Sequence, residues 1–98
     1  MGGAKRPMPK RLPGKLRFIR ESLGYTQEEM VKRLGLEDKL PRSYLSRFET
    51  GDREPSLDIL LIYSQIARVW INALVDDNVD LPERLPSIRM HEGVKRIR

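Results

Sequence analysis

Residues 26–51 carry two short amphipathic segments, each with its own start and stop signals, and this stretch limits the fold more than any other part of the chain. Thr26 with Glu29 three residues on is a capping box, in which each side chain satisfies the other residue's orphan backbone amide. Gly35 ends the helix so begun. Along it Met30, Val31 and Leu34 form one narrow apolar stripe, leaving Gln27, Glu28, Lys32 and Arg33 on the outside. After a connector of residues 36–41 a second helix is expected, with Leu45, Phe48 and Glu49 on one face. Ser43, Ser46, Arg47 and Thr50 line the other, and Gly51 provides a left-handed C-cap.

The outer face of that second helix is short-chained, polar and basic. A helix lying in the DNA major groove needs such a face, because small hydroxyl side chains let the backbone approach and a guanidinium bonds two acceptors on guanine at once. Serine-rich, charged outer faces are also common on small helical domains in contact only with solvent. The rest of the chain has to decide between the two.

A length of 98 residues, 39% of them hydrophobic, suffices for one small self-folding domain with some tail. With no cysteine, disulfides, thiolate metal sites and a cysteine nucleophile are excluded, and the single histidine, His91, lies near the end. No apolar run approaches the ~20 residues that cross a bilayer, and the N-terminus has no apolar signal core. A soluble cytoplasmic protein is expected. The formal charge of +5 favours a polyanionic partner, and its distribution says more than its total. The first twenty residues hold seven Lys/Arg and no acid. Residues 1–13 also contain three prolines and two glycines, which reads as a flexible arm. Such an arm suits phosphates or a minor groove, or serves solubility alone.

A helix is expected over residues 14–23, with Leu16, Ile19 and Leu23 in one stripe, Arg20 beside them and Gly24 closing it. Glu49 falls on the buried stripe of its own helix, so Arg20 and Glu49 are expected to form an ion pair. Pro55 and Ser56 mark a turn, Ser56 caps a helix of residues 57–67, and Asp58 suits its dipole. That helix is apolar nearly all round, which makes it the expected centre of the core. A last short helix, residues 71–77, uses Ile71, Leu74 and Val75 before an acidic, proline-containing stretch ends regular structure. A basic tail without clear period follows.

The series Leu16, Arg20, Gly24, Thr26-Gln27-Glu28-Glu29, Leu34-Gly35, Leu45-Ser46-Arg47-Phe48-Glu49, Gly51 and Pro55-Ser56-Leu57 resembles the Cro/CI-type helix-turn-helix family. These are the Xre-like transcriptional regulators of bacteria and their phages, and the resemblance covers residues 15–75. It implies an all-α, five-helix, lambda-repressor-like DNA-binding domain, here residues 14–78. The flexible basic arm of residues 1–13 precedes it, and a C-terminal tail of residues 79–98, for dimerisation or disordered, follows. It further implies that the third helix enters the major groove and that the protein binds as a dimer. Gln27 matches a position used on a phosphate, while Arg42, Ser43, Tyr44 and Arg47 match positions facing bases or flanking phosphates, with Ser46 on the same face. Arg20 and Glu49 match a buried pair. The chain departs from the pattern in its longer connector, where Pro41 is placed to start the second helix at its first position. It departs again at Arg68 and Trp70, which stand where a glycine C-cap and a serine N-cap are usual. There, either the helix boundary has moved or one residue bears left-handed strain.

With one histidine, no phosphate-binding glycine loop and no carboxylates paired on a common face, no catalytic residue, metal ligand or cofactor is assigned. An enzyme is not expected. Membrane-surface binding would need a basic amphipathic helix with bulky anchors, which the chain lacks. The expectation is a sequence-specific regulator of transcription that binds double-stranded DNA and represses by occupying an operator, an inverted repeat held by a homodimer, at the nucleoid. Trp70, Ile71, Leu74, Val75, Val79 and Leu81 offer more apolar area than a domain end needs and form the expected dimer surface. The alternative is an antitoxin or adaptor whose main partner is another protein. Against it, the face of Arg42, Ser43, Ser46 and Arg47 contains no acid and suits a polyanion.

Overall fold

The computed structural model describes residues 8–86, and among them the chain forms five helices: α1 (Leu12–Ser22), α2 (Gln27–Arg33), α3 (Arg42–Thr50), α4 (Leu57–Ala67) and α5 (Ile71–Val75). None is long and apolar enough to cross a membrane.

Helix α1 starts two residues before the expected Gly14, because Leu12 is drawn into the core and Pro13 fits the first turn, where its missing N–H has no intrahelical acceptor to lose. Arg11 at the N-cap makes no side-chain cap. The cap comes instead from a residue distant in sequence: the Asp77 carboxylate accepts the backbone N–H groups of Lys10 and Arg11, both at 3.0 Å. The Arg11 guanidinium donates to the Asp77 carbonyl at 2.9 Å and to Asp80 at 2.7 Å. The two amides hold the Asp77 carboxyl below its ordinary value. Met8 packs against the core, so from residue 8 onward the expected arm belongs to the domain. Residues 1–7, the remainder of the expected arm, lie outside the described residues. At the other end Leu85 is fully buried, which carries the domain past residue 78. Residues 87–98 again lie outside the described residues.

A lysine fastens this end of the molecule. Lys15 is only 5% exposed, and its ammonium donates to the carbonyls of Ala73 at 2.7 Å, Asp76 at 2.9 Å and Val79 at 2.7 Å. Those carbonyls sit at and beyond the C-terminal end of α5, where intrahelical donors run out. Desolvation pulls the Lys15 pKa below the ordinary lysine value and Arg11 adds to the effect, while Asp77, Asp76 and Asp80 oppose it.

The hub of the core is α1, which packs on α3, α4 and α5, while α2 packs on α3 and α4 on α5. This corrects the expectation that α4 is the centre. Leu60, Tyr63 and Ala67 of α4 are buried, but Leu57 is 71% and Leu61 47% exposed, because a domain of this size covers one side of the helix only. Its start is as expected, with the Ser56 hydroxyl accepting from the Ile59 amide at 3.4 Å.

The turn between α4 and α5 keeps its boundary and bears the strain. Arg68 ends α4 with φ 63° and ψ 41°, the one non-glycine residue with positive φ among the described residues, and Trp70 begins α5 without a side-chain cap. A left-handed non-glycine residue costs about 1–2 kcal/mol, part of which a glycine returns through its greater freedom when unfolded. Arg68→Gly is therefore expected to raise the unfolding free energy by about 0.5–1 kcal/mol at unchanged urea m-value. A loss of stability would mean that the arginine side chain holds the turn by contacts that outweigh its strain.

Candidate nucleic-acid interface

The α2–α3 unit is assembled by local caps and one buried ionic network. At the start of α2 the Thr26 hydroxyl accepts from the Glu29 amide at 3.1 Å, and the Glu29 carboxylate accepts from the Thr26 amide at 2.8 Å. These bonds lower the Glu29 pKa. The long connector does not hang loose: the amides of Lys39 and Leu40 both donate to the Leu36 carbonyl, at 2.9 and 2.8 Å, and the turn so made packs Leu36 and Leu40 against the core. Pro41 stands at the N-cap of α3, one position before the expected first helical place, with its carbonyl accepting from Tyr44 at 2.9 Å.

Beneath α3, Leu45 and Phe48 are buried, and Glu49 meets Arg20 of α1 in a two-pronged pair, Nε to Oε2 at 2.7 Å and a terminal guanidinium nitrogen to Oε1 at 3.0 Å. The Arg20 side chain is 13% and the Glu49 side chain 4% exposed. The remaining terminal nitrogen of Arg20 donates to the Tyr25 carbonyl at 2.8 Å, and the Gln27 amide donates to Glu49 at 3.3 Å. One carboxylate thus ties α1, the entry to α2 and α3 together, and its hydrogen bonds raise the Arg20 pKa. The Tyr63 hydroxyl lies buried nearby without a hydrogen-bond partner among the described residues, and burial, then Glu49, raises its pKa.

With its underside locked in this way, α3 turns Arg42, Ser43, Arg47 and Thr50 to solvent. Ser46 and Tyr44 are half-buried at the margins of that face, and Gln27 is half-buried beside it through its bond to Glu49. Thr50 is engaged locally, donating to the Arg47 carbonyl or to Asp52. Gly51 closes α3 with φ 88°, a conformation that a Cβ would strain, and that Cβ would also sit 3.4 Å from the Pro13 ring. The chain reverses here, and the amides of Gly51, Asp52 and Arg53 converge on the Arg47 carbonyl at 3.0, 3.0 and 3.3 Å.

The reversal brings up a residue that spacing alone does not single out. The Arg53 guanidinium lies over the Tyr44 ring, 4.2 Å from its centroid. The expected dimer surface changes more: Leu74 is fully buried and drops out of it, Ile71 and Leu81 are half-buried against the core, and Val79 is half-buried. Val75 stays 37% exposed and Trp70 84% exposed. A shallow groove beside Trp70 is lined by Leu61, Ser64, Gln65, Arg68, Val69 and Ile71, so the exposed apolar surface runs from α4 across its turn to the start of α5.

No curated protein and no solved structure matches the chain. A family model described as helix-turn-helix matches residues 16–69, more than half of the 98 residues, from within α1 to the turn after α4. That span contains the capping box, the Arg20–Glu49 pair and the whole exposed face of α3. The chain belongs to the Cro/CI-type helix-turn-helix family of DNA-binding transcriptional regulators.

Proposed function

We propose that this regulator represses transcription by occupying a duplex operator at the nucleoid, with α3 in the major groove. The observation that carries the reading is the pairing of a locked underside with a basic, hydroxyl-lined outer face on one short helix. Arg42, Ser43, Ser46 and Arg47 face base edges, Tyr44 lies at the flank, and Gln27 at the first turn of α2 approaches a phosphate. Residues 1–7 supply further cations for the backbone or a minor groove. Two copies bind an inverted repeat with half-sites about 34 Å apart, since one recognition helix reads too few base pairs for a genome. The exposed Trp70, Leu61 and Val75 support a dimer surface around the α4–α5 turn. The same apolar surface supports a second reading, an antitoxin or adaptor that grips another protein there.

Duplexes selected by the purified protein from random sequence provide the test. If about six phosphates are neutralised, log affinity falls against log salt with a slope near −5, at ~0.9 per phosphate. A salt-independent response rejects duplex DNA as the partner. Arg47→Ala is expected to cost roughly 1–3 kcal/mol and to relax preference at one base pair, and a uniform loss would make Arg47 a phosphate contact instead. Titration should reach two chains per inverted repeat, and Trp70→Glu should abolish cooperativity while the monomer stays folded. One wild-type chain per repeat rejects the dimer.

A further inference from the structure

We propose that Arg53 is a DNA-phosphate contact and that Tyr44 is its positioning residue, a division of labour that rests on the DNA-binding reading above. Arg53 lies outside α3, and two features of the chain bring it back. The left-handed Gly51 reverses the backbone, and the three amides gathered on the Arg47 carbonyl fix residue 53 relative to the last turn of the helix. From that point the arginine side chain runs back along α3 to Tyr44. Positions 44 and 50 are six steps apart, about 9 Å at 1.5 Å per residue, a gap that the arginine and tyrosine side chains close together.

The Tyr44 ring is a fixed platform. It packs against the core, whereas Arg53 is exposed, and 4.2 Å from guanidinium to ring centroid is a stacking distance. Stacking uses the face of the guanidinium and none of its N–H groups. The five donors on the edge stay available in one plane, the arrangement that meets a phosphate with two parallel bonds. An arginine on a bare loop must give up its rotamer freedom when it binds, and here the stack on the ring already restricts it.

Position selects phosphate over base. Tyr44 stands at the margin between the exposed residues Arg42, Ser43 and Arg47 and the buried Leu45 and Phe48. A cation held over that margin flanks the recognition helix, and what flanks a helix in the major groove is the sugar-phosphate strand. Tyr44 accordingly acts through Arg53 and makes no base contact of its own.

The test uses the full chain on its selected duplex and on a scrambled one, with affinity measured between about 50 and 200 mM salt. Arg53→Gln, at an exposed site, is expected to weaken both duplexes by the same factor and to make the log–log slope shallower by about 1. Tyr44→Leu keeps apolar volume but removes the ring, and should give part of that loss in the wild-type background and none when Arg53 is already Gln. Tyr44→Phe, which restores the ring, should recover the slope lost in Tyr44→Leu. An unchanged slope in Arg53→Gln overturns the proposal, as does a loss confined to one base pair, which would make Arg53 a base reader. Equal losses from Tyr44→Leu in both backgrounds overturn the positioning role. A flat salt response of the wild-type protein would remove the DNA reading and this proposal with it, whereas a steep wild-type response that Arg53→Gln leaves intact removes the proposal alone.

Discussion

Glu49→Ala is expected to lower the unfolding free energy by about 3 kcal/mol, out of the 5–15 kcal/mol that a domain has in total. The cause is what remains rather than what is removed. Among the described residues Arg20 keeps the Tyr25 carbonyl as its hydrogen-bond acceptor for a charge whose side chain is 13% exposed, and the Gln27 amide loses its acceptor as well. An uncompensated charge in that position costs more than the intact pair contributes, which is why breaking a buried pair and replacing it whole have different outcomes. Arg20→Ala removes the guanidinium and leaves the Glu49 carboxylate, 4% exposed, with the Gln27 amide and within electrostatic reach of the buried Tyr63 hydroxyl. Both changes together should therefore hurt less than the sum of the two by more than about 1 kcal/mol. Urea unfolding of the four proteins measures the cycle, and simple additivity would show that the α1–α3 junction does not depend on this contact. DNA binding should fall with stability in Glu49→Ala, because the carboxylate also ties α3 to α1 and to the first turn of α2.

Features settled within three or four residues were legible in the sequence. The Thr26–Glu29 box and the Ser56 cap are local hydrogen bonds, so spacing alone specifies them. The five helices were legible as elements, although α5 is shorter than its apolar pattern suggested. The Arg20–Glu49 contact spans twenty-nine residues, but each partner stood as a charge on an apolar stripe, and such a charge needs a counterpart. The exposed side of α4 was not legible, because a sequence apolar all round describes what a helix is able to bury and not how much of the domain is there to cover it. The Arg53–Tyr44 stack depends on the reversal at Gly51 and leaves no periodic trace. Lys15 did leave a trace. Leu12, Lys15, Leu16 and Ile19 fall at i, i+3, i+4 and i+7 on one stripe, but with α1 expected from Gly14 that stripe begins at Leu16 and Lys15 is not singled out.

Lys15→Met is expected to destabilise the domain by about 3 kcal/mol, with the damage concentrated at α5 and the segment that follows it. Methionine replaces the aliphatic stem, so packing of α1 on α5 survives and the test isolates the ammonium. Three carbonyls then lose their shared donor. Hydrogen bonds from a charged group contribute roughly 1.5–3 kcal/mol each, and an acceptor left buried without another donor costs a further amount of the same order, although the Asp76 carbonyl keeps the Val79 amide at 3.1 Å. Against this stands the desolvation of the ammonium itself, which depresses its pKa and is relieved when it is removed. Three bonds against one desolvation leave a net loss, though well short of the sum of the bonds. Asp76, Asp77 and Asp80 would also lose the attraction of the nearby Lys15 charge, with Arg11 remaining beside Asp77 and Asp80. Hydrogen exchange should report the change first: amides of α5 and of residues 76–85 lose protection in Lys15→Met by more than those of α2 and α3. A loss of protection spread evenly over all five helices, or a destabilisation under about 1 kcal/mol, would mean that water satisfies the three carbonyls as well as the lysine does.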